Sequence, residues 1–141
     1  MGCFNSVVLN APADKVWKAL RDFHDLSWAP NIVEDVEQVG DVPGTQTGAK
    51  RILNGAFQET LLGIDDHTRT IRYSIDDGPE AISKDNVKGY VGTVRVLPVT
   101  DTNGAYVSWE TSWESSGGGV REFCDPIYQA LLQDLKKTFS G

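Results

Sequence analysis

The chain has 141 residues, 40% hydrophobic and 23% charged, which is the size and mix of one soluble domain with its own core. Its formal charge of −7 disfavours nucleic acid and an anionic membrane surface as partners, because both select a basic face. No run approaches the roughly 20 apolar residues of a membrane helix, so membrane insertion is not expected either.

From the start, "MGCFNSVV" lacks the basic region and apolar core of a secretory signal. Gly2, Cys3 and Ser6 echo a myristoylation pattern, but they run straight into a strand-like segment, so no lipid anchor is expected. Residues 3–10 form the first predicted strand. Over 12–23, Ala13, Val16, Trp17, Leu20 and Phe23 recur at helical spacing. Pro12 suits the first helical position, and Asp14 suits the positive end of the helix dipole. "HDLSWAPN" follows as a second short helix or a turn, stopped by Pro30.

Residues 32–113 carry strand and turn signals. "IVEDVEQV" is a strand, closed by the turn-rich "GDVPGTQTG". "AKRILN", "AFQETLLGI", "RTIRYSI", "VKGYVGTVRVLPV" and "AYVSWETSWES" are five more, separated by "DDHT", the longer "DDGPEAISKDN" and "TDTNG". With the first strand this makes seven, joined mostly by hairpin-length connections, so the sheet is predicted to be an antiparallel meander. "SGGG" reads as a hinge and not a phosphate loop, since no P-loop lysine follows. A long helix is predicted over about 120–139, with Phe123, Cys124, Ile127, Tyr128, Leu131, Leu132, Leu135 and Phe139 forming an apolar band. Pro126 leaves two alternatives: a helix capped by Asp125, or a longer one that kinks. A curved sheet has one face to bury, and this helix is its cover. Such a grip tends to leave a cavity.

Alternation places Phe57, Glu59 and Leu61 on one face of their strand, so Glu59 sits among apolar residues. Desolvation there would raise its pKa, which suits a general acid or base. A structural ion pair with Arg51 or Arg95, or a strand end reaching solvent, explains the position equally simply. Ile71, Tyr73 and Ile75 share one face of the next strand, and a buried phenol needs a partner. Trp109 and Trp113 alternate late in the sheet, as an aromatic wall or as packing against the long helix; Trp17 belongs to the core, and Trp28 lies nearer a cavity mouth. Cys3 and Cys124 make no disulfide framework and are expected as reduced thiols in a cytoplasmic protein. His24 and His67 have no zinc-type spacing, so neither a metal nor any other cofactor is expected.

"NSVVLNAPADKVWKALRDFHDLSWAP", "GAKRIL", "QETLLGIDDHTRTIRYSI", "VSWETSWES" and "YQALLQDLKK" together resemble the START/SRPBCC superfamily, in its polyketide cyclase/dehydrase-like branch. The resemblance spans the chain and implies an α+β helix-grip fold: a seven-stranded curved antiparallel sheet around a long C-terminal helix, with two short helices after the first strand. It implies a ligand cavity more strongly than any one reaction. In plant hormone receptors of this superfamily, the glutamate matching Glu59 lines the hormone cavity, a tyrosine matching Tyr90 contacts ligand, and the loop matching "DDGPEAISKDN" is a gate. That loop is acidic here, which disfavours a strongly anionic ligand.

The expected ligand set is Trp28, Phe57, Glu59, Tyr73, Tyr90, Trp109 and Tyr128, with Glu59 and Tyr73 as the catalytic pair if the protein is an enzyme. The expected function is binding of a small hydrophobic molecule, aromatic or polyketide-like; if the protein is an enzyme, the reaction is cyclisation or dehydration by cofactor-independent proton transfer (a lyase or isomerase). The alternative is a non-catalytic lipid or metabolite carrier or sensor. Either a monomer or a homodimer fits.

Overall fold

The computed structural model describes residues 2–115 and 118–140. β1 (Gly2–Leu9) leads into α1 (Ala13–Leu20), and a stretch of turns follows. β2 (Val36–Val39), β3 (Lys50–Leu53), β4 (Phe57–Asp65), β5 (Thr70–Asp77), β6 (Val87–Val99) and β7 (Gly104–Ser115) come next, and α2 (Val120–Thr138) closes the chain. The strands form one seven-stranded sheet in the order β1-β7-β6-β5-β4-β3-β2, with every pairing antiparallel. α2 packs against β1 and β7 and touches the short 3-10 turn Glu80–Ile82. The expected helix-grip architecture is therefore present in its main parts.

Alternation carries the burial. In β4, Glu59 and Leu61 are buried, while Gln58 and Leu62 are exposed. Register shifts between Gln58 and Glu59, and again between Leu61 and Gly63, bend β4 against β5. In β3 the hairpin turns at Asn54 and Gly55, both at positive φ (53° and 65°), the backbone that a tight Asn-Gly turn demands.

Several boundaries differ from the sequence reading. Pro12 is not the first helical residue but the N-cap, with an extended ψ of 145°, and its carbonyl accepts the amides of Lys15 and Val16. α1 ends at Leu20, before Phe23. The second short helix is absent: residues 21–34 are a chain of turns. Asp134 of α2 pulls that segment out of helical geometry, accepting Asn31 N (2.8 Å) and Asn31 Nδ2 (2.7 Å), while Thr138 Oγ1 donates to the Trp28 carbonyl (2.8 Å). The strand expected from Ile32 starts only at Val36, because the amides of Glu34 and Asp35 bond the Asn54 side chain instead of a ladder. α2 runs from Val120 through Pro126, so a start at Asp125 is excluded. Gly119 is its N-cap at φ 87°, a left-handed geometry for which glycine costs least. The Asp125 carboxylate instead accepts Asn5 Nδ2 (2.9 Å) and Gln129 Nε2 (2.8 Å). Of the predicted hinge, Ser116 and Gly117 lie outside the described residues.

The β4–β5 turn clamps α1. Asp66 accepts the Trp17 indole N–H (2.8 Å) and pairs with Arg21 (2.9 Å), and Arg69 reaches Asp14 (2.7 Å). This turn is thus a docking point for the first helix. No helix among the described residues is long and apolar enough to cross a membrane.

Candidate functional site

Glu59 faces the concave side of the sheet and is buried, directly opposite Arg51 in the β3–β4 hairpin. Arg51 is its partner, while Arg95 lies exposed on β6. Arg51 Nε and Nη2 both reach Glu59 Oε1, at 2.8 and 2.7 Å, and Arg51 Nη1 donates to the Phe23 carbonyl at 2.8 Å. The guanidinium also lies 3.7 Å from the centre of the Phe23 ring, over its face. Burial pushes Glu59 above the usual carboxylate range, and the Arg51 charge pulls against it. The Nε–H bond and the Nη2 contact on one oxygen, from a guanidinium that cannot lose its proton, favour the charged form of Glu59 against that burial.

A chain of aromatic hydroxyls begins beside this pair. The Trp109 indole N–H donates to Tyr73 Oη (2.8 Å), and the two rings meet edge to face. Tyr128 of α2 packs on Trp109 at 5.3 Å between ring centroids, and its hydroxyl bonds that of Tyr90. Burial, and for Tyr73 the nearby Glu59 charge, drives all three phenols above their ordinary pKa, so they remain neutral donors. Burial also pushes the Cys124 thiol up to about 11, so it is not a thiolate near neutral pH. Trp113 stacks on Tyr90 at 5.5 Å, and its buried indole N–H has no partner among the described residues.

Two small cavities flank the pair. The first, about 30 Å³, lies under the 22–28 segment and is lined by Asp22, Phe23, Asp25 and Trp28, among others. The second, about 40 Å³, lies between β4 and α2 and is lined by Glu59, Phe57, Ile75, Cys124, Tyr128 and their neighbours. Leu26, Arg51, Tyr73 and Trp109 line both. Each has room for roughly two or three waters, well short of the several hundred Å³ of a drug-sized site. Phe57, which lines the second cavity, stacks on Phe123 of α2, their ring centroids 6.4 Å apart.

Of the residues singled out from sequence, Trp28, Phe57, Glu59, Tyr73, Trp109 and Tyr128 all line one of these cavities. Tyr90 lines neither and touches the site through Tyr128 and Cys124. The gate-like loop holds Ile82 buried, and its acid Asp77 is used internally, accepting the amides of Gly78 and Lys84. His24 Nε2 lies 2.9 Å from the Lys50 carbonyl, outside both linings. Arg51 entered the sequence reading only as a possible ion-pair partner, yet it is the residue common to everything here. The Asn54-Gly55 turn alone does not give this pairing: a two-residue loop would set Arg51 opposite Gln58, and the third connecting residue, Ala56, sets it opposite Glu59. Asp134 was missed outright.

A helix held in a seven-stranded antiparallel sheet, with a polar cluster buried on the concave face, defines a helix-grip protein. The chain belongs to the polyketide cyclase/dehydrase and lipid transport family, whose model matches residues 5–140. A solved structure from Nitrosospira multiformis is 39% identical, with a TM-score of 0.97 over 100% of this chain and 97% of that one. A Thermobifida fusca protein (22% identical, TM-score 0.81, covering 98% and 92%) has the same fold. So does one from Bacillus thuringiensis (21%, 0.80, covering 99% and 98%). No protein of curated function matches the chain.

Proposed function

We propose that the chain binds a small, mainly apolar molecule, aromatic or polyketide-like, between the sheet and α2, and carries or senses it. One observation carries this reading: a buried Arg51–Glu59 pair, with three neutral phenols near it, opens onto two adjoining cavities walled by aromatic and aliphatic side chains. A buried ion pair is a poor way to stabilise a core, whereas a few polar groups in an apolar cleft are what orienting a ligand requires. Because the cavities are small, uptake needs the Phe57–Phe123 stack to part. Phe57→Ala is expected to raise the affinity for the neutral fluorophore N-phenyl-1-naphthylamine several-fold in a fluorescence titration. An unchanged affinity would move the entrance elsewhere.

A catalytic reading has one observation in its favour. Oε2 of Glu59 takes no bond from a described residue, and Glu59 lines the second cavity with Tyr73. Glu59 would then act as base and a Tyr73-centred hydroxyl as donor in a cyclisation or dehydration. Glu59→Gln separates the two. A carrier keeps its ligand within about tenfold in affinity and never turns it over. An enzyme loses turnover by roughly 10²–10⁴-fold while still binding. Native mass spectrometry of the purified protein supplies the co-purifying ligand for both measurements.

A further inference from the structure

We infer that the ligand is uncharged and presents a hydroxyl or N–H donor beside a carbonyl, the donor meeting Glu59 Oε2 and the carbonyl meeting an N–H of Arg51. The inference rests on the binding reading above and adds the chemical class of the ligand.

Three features carry it. Glu59 is 5% exposed, and both bonds it receives from Arg51 fall on Oε1. Its other oxygen is therefore a strong acceptor inside an apolar cavity, without a partner among the described residues. Of the five N–H groups of Arg51, one on Nε donates to Glu59 and one on Nη1 to the Phe23 carbonyl, while Nη2 makes the ionic contact with Glu59 Oε1. Two donors remain on a side chain that lines both cavities. The site thus offers a free acceptor and free donors on adjacent groups, the complement of an amide, a lactam or an enolised β-diketone.

The second argument is charge. Arg51 and Glu59 cancel, and the other polar side chains of the second cavity, Tyr73, Tyr128 and Cys124, are neutral. The first cavity adds Asp22 and Asp25, which are half-buried and exposed and already accept the amides of His24 and Ser27, so neither is a buried unpaired charge. A carboxylate ligand would find its one available cation already neutralised, with Glu59 Oε2 beside it, and would bury an uncompensated negative charge. An ammonium would bury a positive one against Arg51. A wholly apolar ligand would leave Oε2 dry and unpaired.

The test is displacement of N-phenyl-1-naphthylamine, at pH 7.5, by 2-naphthamide and by its isostere 2-naphthoate. The amide is expected to bind at least tenfold more tightly than the carboxylate. Glu59→Gln, which frees the Arg51 charge, is expected to erase or invert that ratio. The double variant Arg51→Gln/Glu59→Gln leaves a neutral amide pair, should the single variant fold poorly, and is expected to bring the two ligands within about threefold. Equal or tighter binding of naphthoate by the wild type overturns the inference. So does a ratio that Glu59→Gln leaves unchanged, or displacement by neither ligand while the fluorophore still binds. If the fluorophore itself does not bind, the binding reading falls first and takes this inference with it.

Discussion

Replacing Arg51 by leucine is expected to lower stability by about 3–5 kcal/mol at pH 7, a drop in melting temperature of roughly 10 °C for a chain of this size. The cause is the charge left behind more than the bonds lost. Glu59 is buried, and its only hydrogen bonds among the described residues come from Arg51. Without the guanidinium it must stay charged in an apolar cavity or take up a proton. The pH dependence identifies this mechanism. Glu59 already has its folded-state pKa raised by burial, with Arg51 opposing the rise. A raised carboxyl contributes stability that is fully present below its unfolded pKa and is lost as pH climbs through the folded value. Removing Arg51 lifts the folded value further. The penalty should therefore be small near pH 5 and grow with pH, by up to about 1.4 kcal/mol per unit. Removing both charges, as Arg51→Met/Glu59→Leu, should recover most of the loss, because an apolar pair of similar volume has no desolvation to offset. Urea denaturation of the wild type and the two variants at several pH values checks this. A penalty below about 1 kcal/mol, or one flat in pH, would mean that Glu59 reaches solvent through the cavity and is not confined.

The contrast between Glu59 and its surroundings shows what one chain of letters can reveal. Its inward face followed from a period of two, which needs only neighbours in sequence. Its partner needed the strand register, which an Asn54-Gly55 turn read as a two-residue loop misses by one: the third connecting residue, Ala56, is what sets Arg51 opposite Glu59 and not Gln58. The turn segment 21–34 was out of reach, because side chains remote in sequence hold it: Asp134 binds Asn31 from 103 residues away, and Asn54 takes two amides of the entering strand. Asp134 reads locally as one polar residue beside the apolar band of α2. The sizes of the cavities were equally hidden. The grip topology implies a space between sheet and helix, but whether rings fill it depends on how Tyr73, Trp109, Tyr128 and Phe123 pack together.

Gly92 decides part of that packing, and Gly92→Ala is expected to be the most disruptive single-methyl change at the site. Gly92 lies on β6 directly opposite Tyr73 of β5. A Cβ built on it would enter the Tyr73 ring and stand 2.5 Å from the phenol oxygen. The tyrosine therefore lies across the backbone of the next strand, and only a residue without a side chain allows that. From there its hydroxyl reaches the indole N–H of Trp109 on β7. A methyl at position 92 must drive the ring away. It adds overpacking of about 1–3 kcal/mol and leaves a buried indole N–H and phenol unpaired, at about 1–3 kcal/mol each. With partial relaxation, a net loss near 3 kcal/mol is the expected outcome. Because Tyr73 walls both cavities, N-phenyl-1-naphthylamine affinity should change with stability, and the near-ultraviolet circular dichroism of the aromatic cluster should weaken. Adding Tyr73→Ala should restore part of the stability, since the methyl then occupies the space the ring left, but should not restore binding. Wild-type melting and binding in Gly92→Ala would show that the Tyr73 ring moves aside freely, and that the Trp109–Tyr73 bond fixes neither the core nor the ligand.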